Sequence, residues 1–204
     1  MSSPIGILDY GCGNIKSVSN ALKACGYDSK LVTNVAELDD IEKLVLPGVG
    51  AFDYAVESIT ATGIVEALIR WTEDESKMLL GICLGMQLLC RGSEESLKNY
   101  DGLGLIDAYV KKLDSPKECR LPNIGWSEVI FKNPEYTQNN GDYYFVHSYG
   151  AYCDKEENVL AYSHYGDRKF SSAITNGRNI YGYQFHPEKS QKKGLALLSN
   201  FAKL

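Results

Sequence analysis

The chain has 204 residues, enough for one sizeable domain with a full apolar core. Hydrophobic residues make up 44% and charged residues 23%, an ordinary globular balance. The net charge of −5 at pH 7 argues against a nucleic-acid or anionic-membrane partner, and no block of like charges reads as an interaction tail.

The opening MSSPIGILDYG lacks a basic segment followed by an apolar signal core. The longest apolar run, Met78 to Cys90, is too short to span a bilayer and contains Gln87. A cytoplasmic location is expected. The six cysteines, at 12, 25, 83, 90, 119 and 153, form no C-x-x-C pair. In a reducing compartment they are expected to be free thiols, most of them small buried hydrophobes.

IGILDY (5–10) reads as a buried strand ending at Gly11. Asn14 can cap a helix with Ile15, Val18, Leu22 and Cys25 on one face, stopped by Gly26. KLVT (30–33) and KLVLP (43–47) read as strands. Helical spacing follows in Ala55, Val56 and Ile59, then in Ile64, Ala67, Leu68 and Trp71. MLLGI (78–82) is a further buried strand, and LGMQLLCR (84–91) resumes helical spacing. Apolar strands alternating with helices indicate a parallel sheet covered on both faces.

In the second half, LIDAYVKKL, WSEVIF, YYFVHSY, VLAYSHY and FSSAIT are strand-like. Asn176-Gly177 signals a hairpin before NIYGYQF, TQNNGD (137–142) reads as a loop, and GLALLSNFAKL is a final helix. The expected architecture is one α/β domain over 1–204, doubly wound and flavodoxin-like, with a mostly parallel sheet and an antiparallel extension. No linker or internal repeat is evident.

Cys83 sits in a G-x-C-x-G frame, with a strand running in and a helix leaving. That is the context of a nucleophile elbow, a strained turn that lifts one side chain above the sheet edge. Flanking glycines let neighbouring backbone approach closely. The N–H of Leu84, at the helix start, can help hold an oxyanion, and the helix N-terminus favours a thiolate. A buried strand-end cysteine is the plain alternative.

A nucleophilic cysteine needs a base, and the histidines are 147, 164 and 186. His186 follows a strand in QFHPEKS, with Glu188 two residues on. In an extended segment positions i and i+2 share a side, so Glu188 can orient the imidazole. Cys83, His186 and Glu188 then make a triad. PGVGAF (47–52) joins a strand to a helix and offers glycine-rich backbone N–H groups for a second oxyanion wall, or an ordinary turn. His147-Ser148-Tyr149 can line a polar pocket, whereas His164 reads as a half-buried strand end.

DYGCGN (9–14) is a weak dinucleotide fingerprint, because Lys16 stands where a third glycine belongs, and no P-loop is present. No histidine or cysteine cluster argues for a metal. Nucleophilic machinery thus stands without cofactor machinery, and none is expected.

Taken together, DYGCGNIKSV, KLVLPGVGAF, GICLGMQLL with SEE, GLGLI, the IGW segment, YFVHSY, YGYQFHPEKS and GLALLSNF resemble the class I (triad) glutamine amidotransferases. More narrowly, they are similar to the glutaminase subunits of imidazole glycerol phosphate synthase, from histidine biosynthesis. The resemblance implies Cys83 as nucleophile, His186 as general base and acid, and Glu188 as its orienter. It implies oxyanion donors at Leu84 and Val49, with Gly48, Gly50, Gln87, Glu95, His147, Ser148 and Tyr149 around L-glutamine. Asn14, Asn123, Trp126 and Lys189 fall on the side facing a (β/α)8 synthase partner, giving a heterodimer. The family usually has P-H-M-G-W-N where this chain has Pro122-Asn123-Ile124-Gly125-Trp126-Ser127. That departure leaves hydrolysis intact but opens the identity of the acceptor. A related subunit that supplies ammonia for an amidino group on a surface-polysaccharide sugar is the alternative. A stand-alone γ-glutamyl cysteine hydrolase or peptidase, and a flavodoxin-like binding module, are the other classes to be separated.

Overall fold

The computed structural model describes residues 3–114 and 120–204; Cys119 lies outside the described residues. Five short strands form its parallel part: β1 (Ile5–Leu8), β2 (Ser29–Val32), β3 (Lys43–Gly48), β4 (Met78–Cys83) and β11 (Ile180–Tyr183). They lie in the order β2-β1-β3-β4-β11, each pair parallel. Between them run helices α1 (Ile15–Ala24), α2 (Phe52–Ala61), α3 (Val65–Glu73) and α4 (Leu84–Leu89), and α5 (Gln191–Lys203) follows β11. Asn14 caps α1 as its sequence suggests, accepting from Ser17 N at 3.2 Å.

The sheet is buried on both faces because its strands carry apolar side chains on both. Val45, Leu80 and Ile82 pack under α1 and α5 with Val18, Leu22, Leu197 and Phe201. Leu44, Leu46 and Leu79 face the other way, against Phe52, Ile59, Leu68 and Met86. Burying a side chain of this size contributes about 1.5–3 kcal/mol, so this two-sided core outweighs any single polar contact in the fold.

Beyond β11 the sheet continues antiparallel through β10 (Arg168–Thr175), β9 (Val159–Tyr165), β6 (Asn123–Phe131) and β7 (Gly141–His147). A branch of β8 (Tyr149–Cys153) and β5 (Ala108–Lys112) pairs with β10. The Asn176-Gly177 signal is a true connection between β10 and β11. Asn176 Oδ1 accepts from the backbone N–H of Arg178, Asn179 and Ile180.

Several boundaries differ from the sequence reading. YYFVHSY is not one strand; the chain turns at Ser148 and divides it between β7 and β8. TQNNGD is not a free loop. It holds the end of a 3-10 turn over Pro134–Asn139, started by Asn133 accepting from Glu135 N, and the start of β7. α4 stops at Leu89, because Leu88 and Cys90 carbonyls accept from Leu103 and Gly104 instead of continuing the helix. α5 starts three residues earlier than its apolar run, at Gln191. No helix is long and apolar enough to cross a membrane among the described residues.

Candidate active site

β4 and β11 are adjacent, so the residues that end them meet at one sheet edge. Cys83 ends β4 with φ 55° and ψ −111°, a conformation that L residues rarely adopt. Such a backbone costs about 1–3 kcal/mol and persists only where its surroundings hold it. They do so through glycine. A Cβ on Gly85 would stand 1.9 Å from the Leu46 carbonyl oxygen, and one on Gly48 would stand 2.4 Å from Gly85 N. The bare backbones let the first turn of α4 press against the end of β3. A Cβ on Gly81 would in turn stand 2.8 Å from the Gly85 carbonyl, and this mutual close packing is the physical reason for the G-x-C-x-G frame. Gly48, expected near L-glutamine, is placed in this close packing, beside the Val49 and Gly50 that line the cavity.

His186 follows β11. Its N–H donates to Tyr144 O at 2.9 Å, and its carbonyl accepts from Ser190 Oγ at 2.6 Å. Pro187 then opens a 3-10 turn over Pro187–Lys189. Glu188 therefore reaches the ring from a tight turn and not from an extended segment, since Pro187 fixes the φ of a turn start. The pairing itself is direct: His186 Nδ1 lies 2.8 Å from Glu188 Oε1, with both side chains 1% exposed. A carboxylate at Nδ1 holds the proton there and leaves Nε2 free for chemistry. Burial works against the imidazolium, but hydrogen bonding to Cys83 and Glu188 outweighs it and pushes His186 up to about 9. His186 Nε2 is buried without a settled hydrogen-bond partner, beside the thiol. Unliganded sites often hold nucleophile and base in such loose geometry.

A cavity of about 280 Å³ opens over these groups, the scale of a small polar metabolite. Cys83, Leu84 and His186 form its floor. Val49 and Gly50 form one wall, where Gly50 has φ 116° and Val49 is exposed. Gln87 and Glu95 line a second wall, and Val146 to Tyr149 with Pro122 a third. Glu95 Oε2 accepts from Phe52 N, the first residue of α2, at 3.3 Å, and burial raises its carboxyl above the usual range. His147 is held neutral, at about 4, chiefly by burial.

The residues assigned to a partner-facing side divide. Trp126 is half exposed and packs edge-on to Tyr144, whose ring lies 5.7 Å from Lys189 Nζ; Lys189 is exposed. Asn14 is occupied as the α1 cap. Asn123 is corrected: it is buried, because β6 turns its odd positions inward, and its side chain meets His147 Nε2 at 3.2 Å. His164 is not half-buried but exposed on β9, paired in register with Lys169. Sequence reasoning missed Gln184, fully buried next to Cys83. One polar letter in the strand-like NIYGYQF gives no hint of which way it points.

The arrangement offers a nucleophilic sulfur, a carboxylate-backed imidazole and backbone N–H groups at a helix start, which together suit acyl transfer from an amide. The class-I glutamine amidotransferase family model matches residues 6–204. The chain is 41% identical to the imidazole glycerol phosphate synthase subunit HisH of Leptospira borgpetersenii, covering 98% of this chain and 100% of that protein. It is also 41% identical to subunit HisH 2 of Methanococcus maripaludis, covering 98% of each. Among solved structures, a glutamine amidotransferase superposes with a TM-score of 0.77 at 20% identity, covering 98% of this chain and 100% of that one. The PurLQS structure from Thermotoga maritima gives 0.73 at 20% identity, covering 98% and 97%. At that identity the structures speak for the fold.

Proposed function

The chain belongs to the class-I glutamine amidotransferase family, and on that premise we propose that it is the glutaminase subunit of an imidazole glycerol phosphate synthase. The observation that carries the reading is the strained Cys83 beside the His186–Glu188 pair, at the floor of one cavity.

In this reading the Cys83 thiolate attacks the side-chain amide carbon of L-glutamine. The backbone N–H groups of Leu84 and Val49 hold the tetrahedral oxyanion, where one donor is worth about 3–4 kcal/mol in comparable sites. Protonated His186 gives its proton to the leaving ammonia while Glu188 holds the ring. The same imidazole then activates water, which cleaves the glutamyl thioester and releases glutamate. Gly50, Gln87, Glu95 and the His147-Ser148-Tyr149 wall surround the substrate. Half-buried Glu95 suits its α-ammonium group.

Ammonia released into bulk water becomes ammonium and loses its nucleophilic lone pair, so it needs a water-poor path to its acceptor. We assign that path to a (β/α)8 synthase partner seated against the Trp126–Tyr144–Lys189 patch. Asn123 and Ser127, where the family pattern has histidine and asparagine, are the ground of the second reading, in which a sugar receives the ammonia.

The deciding experiment uses Cys83→Ala with the synthase subunit present. Glutamine-dependent product formation is expected to vanish while ammonia-dependent formation persists. Equal loss of both would overturn the two-site reading. Product with a sugar-modifying partner alone would move the chain to the second reading.

A further inference from the structure

Gln184 is the last residue but one before His186, and its side chain is fully buried. Its Nε2 lies 3.8 Å from Cys83 Sγ, and its Oε1 accepts from Gln87 Nε2 at 3.1 Å. An amide can be turned either way in principle, but here its neighbours decide. The Tyr149 carbonyl oxygen can only accept. It receives Gln87 Nε2 at 2.9 Å and His147 Nδ1 at 2.8 Å. His147 therefore carries its proton on Nδ1, so its Nε2 must accept, and Asn123 Nδ2 supplies the donor at 3.2 Å. Both amide hydrogens of Gln87 are then engaged, one on Tyr149 and one on Gln184. With its oxygen occupied, Gln184 can present only N–H to the sulfur.

The chain of contacts runs from Asn123 on β6 to the nucleophile without one donor facing another donor. Besides His186, the sulfur's other polar neighbour among the described residues is the Val146 carbonyl at 3.9 Å, which can take a thiol proton but gives nothing to a thiolate. Gln184 is thus the side-chain amide that favours negative sulfur. Deepening the glutaminase reading and resting on it, we propose that Gln184 holds the Cys83 thiolate through its amide N–H. Gln87, Tyr149, His147 and Asn123 position that amide.

The titratable groups around the sulfur among the described residues are His186, backed by Glu188, Tyr10 two residues past β1, and His147 and Glu95 in the cavity wall. The substitutions leave all of them in place. Full-length Gln184→Met, Gln184→Glu and Asn123→Leu are alkylated with iodoacetamide across a pH series. The rate at Cys83 is read by peptide mass spectrometry, with thermal unfolding as the check on folding. In Gln184→Met the rate at pH 7 is expected to fall about tenfold, the profile moving up by about one pH unit. The maximal rate at high pH should be unchanged. Gln184→Glu, isosteric and acceptor-only once ionised, should move the profile at least as far. Asn123→Leu should move it in the same direction by less. An unmoved profile in folded Gln184→Met overturns the proposal alone. A Cys83 that reacts no faster than the other thiols in the unaltered chain overturns the glutaminase reading and this inference with it.

Discussion

His186 keeps its charge against burial because the sulfur of Cys83 lies beside its Nε2 and the Glu188 carboxylate accepts from its Nδ1. As pH rises the imidazolium persists until about 9, then is lost, and in the proposed mechanism the proton for the leaving ammonia is lost with it. Glutaminase kcat/KM is therefore expected to fall above about pH 9. In Glu188→Gln the fall should move towards ordinary imidazole values, and the plateau should drop on the order of 10²–10⁴-fold. A pH–rate profile on glutamine checks both, and an alkaline limb in the same place would count against the pairing. Burial pushes the thiols of Cys25 and Cys90 up and that of Cys153 up to about 12, so thiolate chemistry at neutral pH is withheld from these three. At this scale the letters were informative where chemistry demands rare spacing, as in G-I-C-L-G and H-P-E. They were silent on Gln184 and Asn123. The facing of those two depends on strand register, which the alternation of buried and exposed positions along β6 shows only once the sheet is built.

The elements around the cavity hold each other. Asp53, in the first turn of α2, accepts from Ser96 Oγ and from the N–H groups of Leu97 and Lys98, at 3.0 and 3.2 Å for the latter two. This ties down the segment carrying Glu95, whose carboxylate returns to Phe52 N at the start of the same helix. α2 follows directly on the Val49–Gly50 wall, so that wall and Glu95 are anchored to one element. Asp53→Ala removes three acceptor contacts, each worth about 0.5–1.5 kcal/mol. It is expected to raise KM for glutamine about tenfold, with a much smaller change in kcat. Steady-state kinetics decide it: a fall in kcat at constant KM would show that the segment acts elsewhere. Strands and helices of the parallel half were legible because apolar runs and caps are local signals. The antiparallel half was less so. The division of YYFVHSY at Ser148 is imposed by β8 leaving to pair with β10 and β5, contacts that no local pattern encodes.

For the molecule as a whole, two buried histidines pull stability in opposite directions with pH. His147 is depressed to about 4, so its contribution is complete above about 6.5 and is lost as pH falls through about 4. His186 is raised to about 9, so its contribution is complete below about 6.5 and is lost as pH rises through about 9. Thermal unfolding across pH is expected to give a maximum near neutrality. His147→Gln should flatten the acid limb by on the order of 3 kcal/mol; an acid limb as steep as before would place its origin elsewhere.

β11 lies between β4 and β10, and among the described residues the parallel and antiparallel halves meet by strand pairing only across it. It is also the last of the described strands in chain order. A nascent chain can assemble the elbow and its glycine packing early, from β3, β4 and α4, but the imidazole arrives only with the strand that joins the two halves. On the proposed triad, closure of the sheet and arrival of the base then coincide. A prematurely ended chain would carry a thiol with no base, and so would waste no glutamine.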